Sequence, residues 1–196
     1  MSGYTMTQTE VLYSGPPSAY PAAGTSSSSE VSAMVGATGD YSQPYWPGGF
    51  WQQGRQNQLS SFKFCLAVTA ESSATTLTIK LRANTAPNSF TTGDPLLLTF
   101  PALTVTSYSS GTVWGEGFVQ CLGTGFGTSS VSTNLLTSGT LQGSGNALNI
   151  SACAGPTALQ TLDFSVNQWL ELSVTFSTSN GTNAATLKSF VLYGDN

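Results

Sequence analysis

The last part of the chain alternates between apolar and polar residues. From Leu170 to Phe176 every second residue is apolar, which is the period of a β-strand that buries one face. The dipeptide Asn180-Gly181 then favours a tight turn, because both residues tolerate positive φ. A second apolar stretch runs to Tyr193. The pattern predicts a two-stranded antiparallel ribbon, which must pack on the rest of the chain because such a ribbon is marginally stable alone.

The second strand of this ribbon does not keep a single parity. Leu187 and Val191 fall on one parity, whereas Phe190 and Leu192 fall on the other. A regular strand with one buried face cannot bury all four side chains. We therefore predict either a β-bulge in this strand or a strand that is covered on both faces.

The alternation is most regular between residues 59 and 84. Phe62 to Val68 and Leu77 to Leu81 place an apolar residue at every second position, and Glu71-Ser72-Ser73 separates the two runs. Each run predicts a strand with one face toward the core and the other toward solvent or a partner. Because the connection is short and polar, we predict that the two strands form an antiparallel hairpin.

Shorter strands are predicted in the middle of the chain. Leu96 to Val105 is an apolar strand or pair, and Gly111 to Leu122 is a strand pattern that contains Gly115 and Gly117. Glycines inside a strand usually mark a bulge or a close approach to the backbone. Because no stretch combines a helical period with capping signals, we predict an all-β fold, an antiparallel β-sandwich with jelly-roll topology.

The N-terminal residues have a different composition, with apolar side chains scattered among Ser, Gly, Pro and Thr. Ordering such a segment costs more entropy than its burial returns, so it should order only against another surface. We predict an extended arm (1–40), an aromatic junction (41–56) and a β-sandwich body (57–196), and expect the body to fold after deletion of the arm. The alternative is a disordered tail. The partner-binding candidates are Tyr4, Val11, Leu12, Tyr13, Tyr20, Val31, Met34 and Val35.

The junction crowds aromatic residues around prolines and glycines. Its main members are Tyr45, Trp46, Phe50 and Trp51. Proline and glycine favour a turn here, and the aromatic side chains bring a large apolar surface. We expect them to plug the end of the core where the arm joins the body. The alternative is an exposed platform that stacks on sugar rings.

The composition excludes several classes of protein. Charged residues make up only 7% of the chain, against about 25% in a typical soluble domain. This suits a surface committed to neighbours, or one that must tolerate varied ionic conditions. Five Lys and Arg and a net charge of −4 argue against nucleic-acid binding. No signal peptide or membrane-spanning run is expected. The three cysteines lack disulfide or zinc spacing and indicate reduced, mostly buried residues in a protein made in a reducing cytosol.

Signals for catalysis are weak. The chain has no histidine, which is the commonest general base and metal ligand, and its nine carboxylates are widely spread. Glu116, which lies between two glycines and near Trp114, is the one candidate for a glycosidase carboxylate. An exposed, solvated charge is the simpler interpretation. We therefore expect a protein that is not an enzyme and needs no cofactor or metal.

Two stretches resemble jelly-roll structural proteins of tailed-bacteriophage virions. In that family a Gln-Pro-x-x-Pro-x-x-Phe segment precedes a long strand and a Thr-rich strand, and the terminal strand often ends in a Tyr-Gly-x-Asn-like tail. The resemblance covers roughly residues 43–84 and 160–196. The matching positions are Gln43, Pro44, Pro47, Phe50, Tyr193, Gly194 and Asn196.

The resemblance implies a capsid decoration or cement protein. Such proteins are commonly homotrimers that bind the outside of a capsid and tie major capsid subunits together, so the implied location is the virion surface after assembly in the host cytoplasm. The alternative is a tail-fibre or receptor-binding jelly-roll module that recognises host glycans. That alternative predicts that Trp46, Trp51 or Trp114 is exposed in a groove.

Overall fold

The computed structural model describes most of the chain and is built from antiparallel strands. No helix occurs within the described ranges, so the predicted all-β fold is confirmed. Its strands form two packed sheets, as expected for a β-sandwich, and the jelly-roll topology stays a prediction. The described residues are 9–14, 22–23, 28–34, 43–51, 59–70, 75–105, 108–121, 131–133, 135–143, 151–152 and 160–195.

Two large sheets and one small sheet contain the described strands. The seven-stranded sheet contains β1 (Thr9–Ser14), β2 (Ala22–Ala23), β5 (Leu59–Ala70), β9 (Tyr108–Cys121), β11 (Leu135–Gly143), β12 (Ser151–Ala152) and β15 (Ala184–Asp195). The six-stranded sheet contains β3 (Val31–Ser32), β4 (Tyr45–Trp46), β6 (Thr76–Asn84), β7 (Leu96–Thr99), β8 (Leu103–Thr104) and β14 (Gln168–Phe176). The small sheet pairs β10 (Val131–Thr133) with β13 (Gln160–Leu162).

The core lies between the two large sheets, and β5 buries every second residue toward it, as the sequence predicts. Phe62 and Phe64 of β5 point inward, and both meet the ring of Phe100 edge to face, with centroid distances of 6.3 and 5.3 Å. Phe100 follows β7 in the opposite sheet. Phe62 also stacks on Phe190 of β15 at 6.0 Å. Aromatic contacts of this kind add to the stabilisation from buried apolar area.

Both predicted hairpins are wrong. The strands β5 and β6 lie in different sheets, and so do β14 and β15, so each connection crosses from one sheet to the other. Instead, β15 and β9 flank β5, while β14 and β7 flank β6. Each pair has the alternation of a hairpin because every strand of a sandwich buries one face, whichever strand it pairs with.

The predicted bulge in the last strand is confirmed. The pairing of β15 with β5 shifts register between Leu187 and Ser189, which leaves Lys188 as the extra residue. Lys188 is exposed. The shift lets Leu187 and Phe190 both face the core, although they have opposite parity.

Parts of the predicted arm pair with the body. The strands β1 and β2 both add to the edge of β15, and β3 adds to β14. The domain boundaries at residues 40 and 56 stay a prediction, because residues 35–42 and 52–58 lie outside the described part.

Candidate functional site

The outer faces of the two large sheets differ. The outer face of the six-stranded sheet, here called the covered face, contains buried polar side chains of β6 and β14, which Glu30 contacts from the end of the neighbouring strand β3. The outer face of the seven-stranded sheet, here called the open face, carries exposed and half-buried side chains on β5, β9 and β15. This asymmetry makes the open face the candidate binding surface and the covered face a structural cluster.

Strand register arranges the open face in three rows. The neighbouring residues across β15, β5 and β9 are Tyr193–Ser61–Phe118, Val191–Lys63–Glu116 and Ser189–Cys65–Trp114. A charged pair therefore occupies the middle row, with an aromatic residue of β9 in the row on each side. Directly opposed residues of this kind lie about 4.5–5.5 Å apart and can act together on one ligand.

The middle of the open face combines an ion pair with an exposed indole. Lys63 Nζ lies 3.4 Å from a carboxylate oxygen of Glu116, and both side chains are largely exposed. Trp114 is 45% exposed. A shallow depression of about 300 Å³ lies beside the pair, and its lining includes Ser61 and Phe118. The open face therefore presents an apolar ring, a donor and an acceptor together.

Glu116 has the environment of a solvated surface charge. Its ion pair with Lys63 is exposed, and exposed pairs contribute only about 0–1 kcal/mol to stability. Among the described residues, no group of three or more His, Cys, Asp or Glu side chains is placed to hold a metal ion. Glu116 is therefore an exposed, ion-paired side chain of the open face.

The thiol of Cys65 lies half-buried on the same face, opposite Trp114, and is free. Burial raises the pKa of this thiol, against the opposing effect of the nearby Lys188 ammonium group. A raised pKa keeps the thiol protonated, and a protonated thiol is a poor nucleophile. The expectation of reduced cysteines stays a prediction, and the side chains of Cys121 and Cys153 lie outside the described part.

On the covered face, Glu30 holds two cations of β6. Its carboxylate accepts hydrogen bonds from Lys80 Nζ at 2.7 Å, Arg82 Nε at 2.7 Å and Arg82 Nη2 at 3.2 Å. Ser173 Oγ of β14 donates a further bond of 2.6 Å. Burial alone would raise the pKa of Glu30, but these hydrogen bonds outweigh it and lower the pKa to about 2.

Glu171 has the opposite protonation behaviour. It is fully buried on β14, where Ser32 Oγ and Gln43 Nε2 donate hydrogen bonds to its two carboxyl oxygens. Burial raises the pKa of Glu171 to about 8, against the lowering effect of these hydrogen bonds, and the charge of Asp94 raises it further. At neutral pH this side chain is therefore mainly the protonated acid.

The cluster extends into neighbouring loops. Gln43 also donates to Leu170 O at 2.9 Å and accepts from Asn88 N at 2.9 Å. Arg82 Nη1 donates to Asp94 O at 2.6 Å. These contacts fix the aromatic junction and the loop before β7 to the six-stranded sheet. Satisfied hydrogen bonds are what allow so many polar groups to be buried together.

Replacement of Glu171 with glutamine should remove a pH dependence of stability. The unfolded chain releases this proton near the ordinary pKa of 4.5, whereas the folded protein holds it to about pH 8. The stabilisation is complete below pH 4.5 and is lost as the pH rises toward 8, with a total on the order of 3–5 kcal/mol. In Glu171→Gln this loss should be absent. Chemical denaturation at half-unit intervals from pH 5 to 9 measures it.

Glu116→Gln is the matched control for this experiment, because Glu116 is exposed on the opposite sheet. It should retain the decline in stability between pH 5 and 8. A Glu171→Gln protein whose stability still declines like that of the wild type would contradict the assignment of the proton to Glu171.

The junction aromatics are placed in the core, as the plug interpretation requires. Trp46 and Trp51 are about 1–2% exposed, and their rings meet edge to face at 5.4 Å. Phe50 is also buried and packs edge to face on Trp51 at 4.9 Å. Trp46 Nε1 donates to Ser60 Oγ at 2.7 Å. Neither buried tryptophan can serve as a sugar platform.

A close turn delivers these rings to the core. Gly49 has a φ of 80°. Gly48 approaches the loop between β13 and β14 so closely that a Cβ on Gly48 would lie 2.7 Å from Ser165 O. The remaining junction residue, Tyr45, is half-buried, and its ring packs against Trp169 at 4.5 Å. The Pro-Gly-Gly sequence signalled this turn, but not its partner loop.

The proposed arm contacts are divided between the described and the remaining residues. Val11, Leu12 and Tyr13 lie in β1, whose side chains are not described, and Met34 is buried with its sulfur accepting from Leu172 N at 3.3 Å. Val31 is half-buried against the core. The candidates Tyr4, Tyr20 and Val35 lie outside the described residues.

Sequence reasoning missed the buried cluster on the covered face. Lys80, Arg82 and Glu171 occupy outward positions of their strands, where alternation predicts solvent-exposed polar residues. A possible signal was the density of charges, since three outward positions of two strands are charged in a chain with so few charges. Contact between these strands and Glu30 could not be inferred from local pattern.

No protein-family model matches this chain, and no curated protein matches it. A solved structure with some similarity is the CBM2 module of the evolved Dit of Lactobacillus casei BL23 phage J-1. The alignment covers 97% of both chains at 11% identity, with a TM-score of 0.33. Within the described ranges, no helix has the length and apolar character needed to cross a membrane.

Proposed function

We propose that this protein is a non-enzymatic structural component of a tailed-phage virion, which binds the outside of the capsid as a cement protein and bridges major capsid subunits. The virion resemblance supports this proposal. Its first stretch includes β5 and β6, and its second includes β14 and β15. In the structure β5 pairs with β15 in the seven-stranded sheet, and β6 pairs with β14 in the six-stranded sheet. The low charge of the chain suits a surface that contacts neighbouring subunits.

The observation that carries the proposal is the position of β1. This six-residue strand is the last member of the seven-stranded sheet on the β15 side, and no described strand pairs with its other edge. An edge strand presents unpaired N–H and C=O groups, which a strand from another chain can use. Thr9–Ser14 contains a single charged residue, Glu10, so the edge has little protection against such pairing.

Attachment at an edge strand would suit a repeated lattice. A short strand pairing supplies modest affinity at each contact, and a trimer that makes several such contacts multiplies it. The sequence candidates Val11, Leu12 and Tyr13 all lie in this strand. The major capsid protein and copies of the same chain in a homotrimer are the partners of this mechanism.

Co-sedimentation with capsids stripped of the protein tests the proposal. Full-length protein should bind, and a variant lacking residues 1–14 should bind at least about tenfold more weakly, because it lacks the edge strand. Amide hydrogen exchange should show new protection in Thr9–Ser14 on the capsid. The truncation keeps residues 28–34, so its body retains the buried cluster on the covered face.

Trp114→Ala is the matched control, because it changes the open face and leaves β1 intact. It should bind capsids like the wild type. Equal binding by the truncated and full-length proteins would overturn the edge-strand mechanism. Failure of the full-length protein to bind any stripped capsid would overturn the cement function.

A further inference from the structure

Trp114 is a large aromatic side chain left in solvent on a folded sheet. Burial of a large apolar side chain stabilises a protein by about 1.5–3 kcal/mol, so the exposed indole forgoes part of that stabilisation. Trp46 and Trp51 show that the fold can bury tryptophan fully. One exposed aromatic residue alone would mean little, but its polar neighbours on the open face make it informative.

Glu116 and Lys63 are those neighbours. Glu116 is two residues from Trp114 on β9, which places it on the same face about 6.6–6.8 Å along the strand. Lys63 lies opposite Glu116 and is ion-paired with it. A ring that stacks on the indole therefore has its edge within reach of one ammonium and one carboxylate.

This arrangement selects the chemistry of a ligand. An indole face favours a ring with an apolar surface, whereas the Lys63–Glu116 pair offers donors and acceptors to groups on the edge of that ring. A pyranose sugar has both, since its axial C–H groups form an apolar face and its hydroxyl groups lie around the edge. The pair has no net charge and the protein carries −4, so an anionic ligand gains no attraction here.

The shape of the open face suits more than one sugar ring. The depression of about 300 Å³ lies beside the ion pair and extends to Leu59, Ser61 and Phe118. Trp114 lies in the row on the other side of the pair. An extended chain of two or three rings could therefore cross the three rows, with one ring on Trp114 and another in the depression. The volume of the depression is at the lower end of the range for small-ligand sites.

We propose that the open face binds a neutral oligosaccharide. One pyranose ring stacks on Trp114, the hydroxyl groups of that ring or the next one hydrogen-bond to Lys63 and Glu116, and a further ring occupies the depression lined by Ser61 and Phe118. This binding uses a different part of the seven-stranded sheet from the β1 edge. It can therefore succeed or fail independently of capsid attachment.

Affinity electrophoresis tests this proposal with full-length protein. Native gels are cast with laminarin, xylan, hydroxyethyl cellulose, mannan or dextran, and with polygalacturonate as the charged probe. We expect retardation in at least one neutral gel, and a loss of affinity of at least about tenfold in Trp114→Ala. Lys63→Met and Glu116→Met should each weaken binding about three- to tenfold, since each removes one hydrogen-bonding group.

Trp169→Ala is the matched control, because Trp169 is a half-buried tryptophan on the other sheet that packs on Tyr45. It should be retarded like the wild type. The proposal is overturned by an absence of retardation in every neutral gel, by retardation in polygalacturonate alone, or by equal retardation of Trp114→Ala. Self-association that Trp114→Ala abolishes, without polysaccharide binding, would instead identify the open face as a contact between copies.

Discussion

Glu30→Ala is expected to lower the free energy of unfolding by about 3–5 kcal/mol, the range for breaking a buried ion pair by removing one partner. Glu30 accepts three hydrogen bonds from Lys80 and Arg82 and one from Ser173. Alanine would leave Arg82, whose side chain is 8% exposed, without its anionic partner. Chemical denaturation at pH 7 measures the loss.

Glu116→Ala is the matched comparison. It breaks a Lys–Glu pair in the same protein, but that pair is exposed, so the expected change is about 0–1 kcal/mol. Combining Glu30→Ala with Arg82→Met should recover part of the lost stability, because the double variant leaves no unpaired guanidinium group. If Glu30→Ala and Glu116→Ala had the same free energy of unfolding, the ion pairs of Glu30 with Lys80 and Arg82 would not stabilise the fold more than an exposed pair does.

The cluster also changes where a stable truncation can begin. A deletion of residues 1–40 removes Glu30, Ser32 and Met34. Arg82 then loses its carboxylate partner, and Glu171 loses the hydrogen bond from Ser32. The sequence analysis predicted that the body would still fold after this deletion. The contacts of Glu30, Ser32 and Met34 with β6 and β14 indicate that a truncated protein should keep residues 28–34, whatever role the preceding residues have in attachment.

Alternation predicted the strands of this fold better than their pairing. The inward positions of β5 and β6 could be assigned because a two-residue period is a local property. The sheet to which each strand belongs depends on contacts with distant residues, such as the pairing of β5 with β9 and β15. A short polar loop is compatible with a hairpin and with a crossing between sheets, so the pattern alone could not separate them.

Part of the candidate site could be predicted from the sequence, because the two-residue period of a strand is a local property. Glu116 could be selected because Gly115 and Gly117 flank it in a strand pattern. Trp114 lies two residues earlier, so the two-residue period of a strand places both side chains on one face. Lys63 completes the site through cross-strand register, which requires the partner strand to be known. The burial of Glu171 depends on Gln43 and Ser32, which are more than 100 residues away in sequence.

A substitution at Gly115 in β9 is also expected to lower the free energy of unfolding substantially. A Cβ at Gly115 would lie 2.1 Å from Phe64 Cζ and 2.3 Å from Phe64 Cε1, so the Phe64 ring occupies the space of a side chain. This is the close approach that a glycine inside a strand can signal. Gly115→Ala must displace the ring from its edge-to-face contact with Phe100 at 5.3 Å.

We therefore expect Gly115→Ala to lower the free energy of unfolding by about 2–3 kcal/mol, in the range for overpacked cores. Gly93→Ala is the control, because a Cβ there meets its nearest atom, Thr91 Oγ1, at 3.7 Å, and we expect a change within about 0.5 kcal/mol. Phe64→Leu should relieve the clash, so the double variant should be more stable than the sum of the single effects predicts. Chemical denaturation of the wild type, Gly115→Ala, Phe64→Leu and the double variant completes the cycle. If the two single effects add, the Phe64 ring does not clash with a side chain at position 115.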